Sequence, residues 1–311
     1  MTKKLVPVVL LALAGLGSCS RSARIEVTPT PVDSTTFYTY SMSSVYSLLK
    51  VVPKTVTMNV ATGGAIVGNS GTIYTFPANA FQTAGGGSVT GNITLSLSEY
   101  VKKGDMIFSR VLPVSDGQTL ISGGQILVEA TQGGSKLILK PGYNFTASIP
   151  QLGQISDYMS LYYGYNENTT VSPINWVTGT GTGTATRFGD TVTLNADSVG
   201  YLSAGKPYAG ATNQAIALTV NGLTFDDSDH VQAYAVYDNY RSITPMLRRY
   251  HQKFTQDSVL NVPTHFVVYT VYRGEFYAGI SSSVTPLSGG SYSVTVSKVN
   301  PITFLHTVNG M

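Results

Sequence analysis

Side chains equipped for acid–base or metal chemistry are few in these 311 residues and stand far apart. The four histidines, His230, His251, His265 and His306, all fall in the last third of the chain. None has the His-x3-His or His-Glu-x2-His spacing that turns two imidazoles to one zinc ion, and the single cysteine is Cys19. A Ser–His–Asp relay needs no adjacency in sequence. No Gly-x-Ser-x-Gly turn is present, however, to lift a serine out of the backbone. Glu99 and Glu129 lie in strand-like runs. A carboxylate pair across a glycosidic bond would be their chemistry, but as single acids in alternating segments they read as solvent-facing strand residues. Asp226, Asp227 and Asp229 form the densest acidic cluster, and three carboxylates with backbone oxygens are a ligand set for calcium. The cluster lacks EF-hand spacing and its closing Glu, so a solvated loop is expected. Gly179 to Thr184 alternates Gly and Thr without a following helix or Lys, which argues against a phosphate loop and for a surface excursion. No catalytic residue, metal or cofactor is assigned.

Aromatic residues offer more. The chain has 20 Tyr, 11 Phe and one Trp. Tyr158, Tyr162, Tyr163 and Tyr165 precede Trp176, and such rings stack on sugars or anchor interfaces. This cluster is the candidate contact surface. Only 11% of residues are charged, against about 25% in an average domain. The net charge of +3 is spread without a basic stripe, which excludes a protein that tracks a nucleic-acid backbone. With 42% hydrophobic residues, the composition is that of a chain that buries a core.

The N-terminus carries an address. Lys3 and Lys4 precede an apolar run from Val6 to Leu16, too short to span a bilayer and of signal-peptide length. Leu16-Gly17-Ser18-Cys19 resembles the bacterial lipobox. The resemblance implies a signal peptide over 1–18, diacylglycerol on the Cys19 thiol and anchoring to the bacterial outer membrane. The Ser/Thr/Pro-rich stretch 19–36 then reads as a tether. No acidic stretch follows Cys19 to assign the periplasmic or surface face.

Positioning falls to strands. Ile93, Leu95 and Leu97 alternate with hydroxyl residues, as do Tyr292, Val294 and Val296, and Ile216, Leu218 and Val220 alternate with Ala217 and Thr219. Period two with β-branched residues predicts half-buried strands. Gln132 to Ser135 and Arg273-Gly274 predict hairpin turns. Pro245 to Thr255 predicts a short amphipathic helix from its Met246, Leu247, Tyr250 and Phe254 spacing, and Ser41 to Val51 suits either helix or strand. The expected fold is all-β, with two antiparallel β-sandwich units of Ig-like or ZU5-like type. These cover 37–150 and 213–311, are joined by an irregular β-rich bridge over 151–212, and leave room for one or two short helices.

Gly63-Gly64-Ala65-Ile66, Gly71 to Phe81 and Gly91 to Tyr100 resemble the opening of a ZU5-like β-sandwich found in Bacteroidota envelope lipoproteins. Asp105-Met106-Ile107, Ser122-Gly123-Gly124 and Asn175-Trp176-Val177 continue the likeness over roughly 60–205. Val199-Gly200-Tyr201-Leu202-Ser203 departs from it, with Tyr in place of Trp. The resemblance implies architecture and compartment and brings no catalytic residues. ZU5 modules elsewhere serve protein–protein contact. The expected function is therefore a lipid-anchored envelope binding or scaffold protein without catalytic activity, with a protein or glycan partner. A dispersed-site hydrolase of an envelope or extracellular polymer, or an accessory subunit of an outer-membrane complex, is the alternative.

Overall fold

Alternation sets the architecture. In Thr191–Ala196 the apolar residues Val192, Leu194 and Ala196 are buried while their neighbours remain half-buried. The strand pairs with Phe145–Pro150, whose Phe145, Ala147 and Ile149 share the buried face. The computed structural model describes residues 39–151, 158–166, 174–179, 181–208, 214–226 and 228–311. Cys19, the 1–18 segment, the 19–36 tether and Asp227 lie outside the described residues.

Among the described residues the chain is all-β, with four sheets and three short helices. The large sheet has the order Lys54–Asn59, Asn92–Tyr100, Gln118–Gln132, Gly200–Pro207, Ser160–Asn166, Ile174–Thr178, with shorter strands branching from it. A five-stranded sheet faces it, in the order Thr184–Phe188, Thr191–Ala196, Phe145–Pro150, Ile73–Phe76, Gly64–Val67. Tyr74, Phe76, Leu95, Leu97, Ile126, Val128 and Leu202 fill the space between them. The stretch 151–212 thus does more than bridge: its strands extend the large sheet and complete the facing one. Gln118–Gln132 is the reason. One edge of this long strand is covered by Asn92–Tyr100, and the other requires Gly200–Pro207 to satisfy its backbone groups.

The C-terminal sandwich packs a four-stranded sheet on a five-stranded one around Leu218, Phe225, Phe254, Phe266 and Val268. One pair departs from the antiparallel expectation. Gln214–Asn221 runs parallel to Ser291–Thr295, and the chain between them adds two strands to this sheet and four to the other. The predicted hairpin at Arg273-Gly274 forms with both residues at positive φ, the geometry whose twist suits flanking strands.

The two sandwiches share a further core. Tyr100, Tyr162 and Trp176 from the large sheet meet Tyr234, Tyr269 and Phe276 from the C-terminal unit. Three helices add Leu49, Phe108 and Phe304 to it: α1 (Met42–Leu49), α2 (Lys103–Phe108) and α3 (Pro301–Asn309). Buried Arg241 spans the junction, donating to the carbonyls of Gly123 and Pro150 and to Gln151 Oε1. Ser242 donates to the Leu120 carbonyl at 2.8 Å.

The helix expected over 245–255 is absent. Leu247–Tyr250 and Lys253–Val259 form a hairpin instead, with His251 at φ 43 in the turn. Its helical spacing of apolar residues is coincidental: Phe254 is buried while Leu247 is 43% exposed. Pairing of Lys253–Val259 with Gln214–Asn221 satisfies the backbone in extended form, an instance of tertiary context overriding local propensity.

Candidate functional site: a groove on the large sheet

Strand pairing builds a cross-strand row on the outer face of the large sheet. Ser98 pairs with Leu127, Leu127 with Tyr201, Tyr201 with Gly164 and Gly164 with Trp176. Two residues further along come Glu129 on one strand and Asn166 on another, and Val199, which precedes Gly200–Pro207 and packs partly against the core between the sheets, lies in the lining with them. Lys136 and Ile138, on the strand that folds back after Gln118–Gln132, rise beside them. Together these residues line a groove of about 420 Å³. Glu129, Lys136 and Asn166 are exposed, and Leu127, Val199 and Tyr201 are half-buried.

An aromatic stack supports the floor. The Tyr201 ring lies against Tyr100 at 6.4 Å and meets Trp176 edge-on at 6.4 Å. Trp176 is fully buried and its indole N–H donates to the Leu112 carbonyl at 2.7 Å, which fixes the ring. Gly164 is required here: a Cβ would come within 2.6 Å of Tyr201 Cβ and 3.0 Å of Trp176 Cζ3. Burial pushes the Tyr201 hydroxyl pKa up, contact with Tyr100 offsets part of the rise and the Glu129 carboxylate adds to it. Asn175 and Asp116 exchange two hydrogen bonds and pin the strand beyond Trp176.

The expected aromatic contact surface is thereby redistributed. Trp176 and Tyr162 belong to the core and are not available to a partner. Tyr163 is half-buried and donates to Asp197 at 2.5 Å. Tyr158 and Tyr165 are exposed, at 87% and 59%. Period two is part of the reason: Tyr162 and Tyr163 are neighbours in one strand and face opposite ways, and Tyr158 precedes the strand. Asp197 also accepts from the Thr182 backbone N–H at 2.8 Å, so the Gly/Thr run is pinned to the body there.

Several of the other acids, and His265, are tied into the fold. Glu99 is buried, not solvent-facing, because both its oxygens accept backbone N–H bonds, from Ser70 at 2.7 Å and Thr72 at 2.9 Å. It lines a second cleft, of about 250 Å³, with Asp105. Burial raises the Asp105 pKa, and Asn309 of α3 donates to its carboxylate at 2.9 Å. Glu129 sits three register steps away from Glu99, on the adjacent strand. Asp226 is exposed and Asp229 half-buried; Asp226 accepts from Ser228, and the Asp229 carboxylate accepts from the Asp226 backbone N–H at 2.9 Å. Arg248 donates to the backbone carbonyls of both. The described residues therefore form an Arg-tied turn, and no group of three metal-binding side chains occurs among them. His265 Nδ1 lies 2.6 Å from Asp238, whose second oxygen accepts from Ser283. Serine thus contacts the carboxylate in place of the imidazole, and this is not a nucleophile relay.

Sequence reasoning named Glu129 and Tyr201 singly and missed the groove. Alternation does place Leu127 and Glu129 on one face, but the partner strands 70 residues on are not readable from it. No family model matches the chain, and no characterised protein matches it in sequence.

Proposed function

We propose that this chain is a lipid-anchored binding or scaffold protein of the bacterial outer membrane, non-catalytic, which holds its partner in the groove on the large sheet. The supporting observation is the groove itself. An apolar floor braced from the side by Trp176 and Tyr100 carries a polar rim of Glu129, Lys136 and Asn166, the distribution typical of binding clefts. The lipobox-like Leu16 to Cys19 supports the anchor, and the ZU5-like resemblance over 60–205 supports a contact role. The hydrolase alternative draws on the Glu99 and Asp105 cleft, where both Glu99 oxygens are occupied by backbone donors.

Two experiments address the two halves of the reading. A photo-crosslinking residue at Ile138, which is 39% exposed at the groove wall, is expected to give a discrete adduct in cells, absent when the probe is moved to Thr193 on the facing sheet. Cys19→Ala is expected to move the folded chain from the membrane to the soluble fraction. No adduct at Ile138 overturns the binding reading; retention of the alanine variant after a carbonate wash overturns the anchor.

A further inference from the structure

The rim and floor of the groove favour one class of occupant, and this step rests on the binding reading above. The floor strands, Gln118–Gln132, Gly200–Pro207 and Ser160–Asn166, are interior to the sheet, and Gly200–Pro207 pairs with its two neighbours as far as Val128 and Gly164. Beyond those pairs only a residue or two of each strand faces the groove, too short a ladder for the main-chain bonds that strand addition uses. Recognition must come from side chains that stand on the face.

Those side chains have a particular set. Glu129 and Asn166 flank Val199 from strands two apart in the sheet, a separation of about 10 Å at the usual strand spacing. A carboxylate accepts two hydrogen bonds side by side, and a primary amide both donates and accepts. This is the complement of vicinal hydroxyls. Between them Val199, Leu127 and the Tyr201 edge give a non-polar strip, with Ile138 as one wall. The charged groups on the lining, Glu129 and Lys136, cancel, which disfavours a strongly charged ligand. The groove's 420 Å³ falls within the roughly 300–1,000 Å³ of small-molecule sites.

We infer that the groove binds a neutral saccharide, one or two rings of a polymer lying with their C–H faces on Val199, Leu127 and Tyr201 and their hydroxyls on Glu129 and Asn166. Both polar residues stand on the surface, so their substitution leaves the core intact.

The test is calorimetric titration of the full chain, in a sugar-free detergent, with neutral hexasaccharides of glucose, mannose, xylose and N-acetylglucosamine. The single tryptophan gives a second signal, because Trp176 meets the floor residue Tyr201 edge-on. At least one sugar is expected to bind saturably and shift the Trp176 emission. Glu129→Gln and Asn166→Ala should each weaken that binding tenfold or more with unchanged melting temperature, while Thr193→Ala on the facing sheet leaves it unchanged. Binding that is insensitive to both groove variants overturns the assignment. So does preference for a polyanionic oligosaccharide over all the neutral ones. If no sugar binds but the Ile138 crosslinker captures a protein, the saccharide inference falls and the binding reading stands. If neither occurs, both fall.

Discussion

Glu99 shows how a residue type that suggests chemistry can be consumed by architecture. Its carboxylate closes the turn between Gly64–Val67 and Ile73–Phe76 by accepting the Ser70 and Thr72 N–H groups. Gly68 lies so close that a Cβ there would sit 2.3 Å from a Glu99 oxygen, well inside contact distance. Leaving a buried donor without a partner costs roughly 1–3 kcal/mol, so Glu99→Ala is expected to lose about 3 kcal/mol in denaturant unfolding, and Glu99→Gln less. Gly68→Ala should also destabilise. The double variant Gly68→Ala/Glu99→Ala should cost less than the sum, since the clash disappears with the carboxylate. Strict additivity would show that Glu99 and Gly68 do not act as one latch.

At the scale of elements, helices carry the surprises. The capping box of Ser41 and Ser44 settles the ambiguous 41–51 segment as α1. The Asn300 cap and Pro301 that open α3 were legible as start signals, yet the segment is short and follows a strand-rich run. The alternating runs and both hairpins were readable because period two is local. The groove was not, since it depends on which strands become neighbours, and Val199, Asn166 and Glu129 meet only after three strands pair. Helix α2 contributes a test of its own. Lys103 is buried and its ammonium donates to the Asp238 carbonyl at 3.1 Å. Burial lowers its pKa to about 8, with Asp238 opposing the shift. The folded chain therefore holds this proton less tightly than the unfolded one. Charging Lys103 costs stability fully below pH 8, and the cost fades as pH rises toward the unfolded value, near 10.5. Relative to Lys103→Met, the parent chain should gain stability between pH 8 and pH 10.5. Parallel stability curves for the two proteins across that window would show that the ammonium is solvated.

Across the whole molecule, the question is whether the two sandwiches are separate folding units. Their own cores are distinct, but the third core draws on both, and all three helices insert into it. Polar bonds reinforce the junction. Arg241 reaches from the C-terminal unit to the carbonyls of Gly123 and Pro150, and Thr119 meets Thr244 at 2.5 Å. Burial lowers the Arg241 pKa to about 10, so this guanidinium is held by carbonyl oxygens at some desolvation cost. Such bonds form only when both sandwiches are folded and docked. Unfolding either half would expose Trp176, Tyr234, Tyr269 and Phe276 together, an area of aromatic surface too large to leave in water, at about 25 cal/mol per Å². Residues 39–311 should therefore melt in a single calorimetric transition, with van't Hoff and calorimetric enthalpies in agreement. Arg241→Ala leaves the Gly123 and Pro150 carbonyls without their donor and should lower the melting temperature while weakening that coupling. The expected sign is a broadened or split transition in the variant against one sharp transition in the parent. Two resolved transitions in the parent chain would show instead that the shared core is an interface between independent domains.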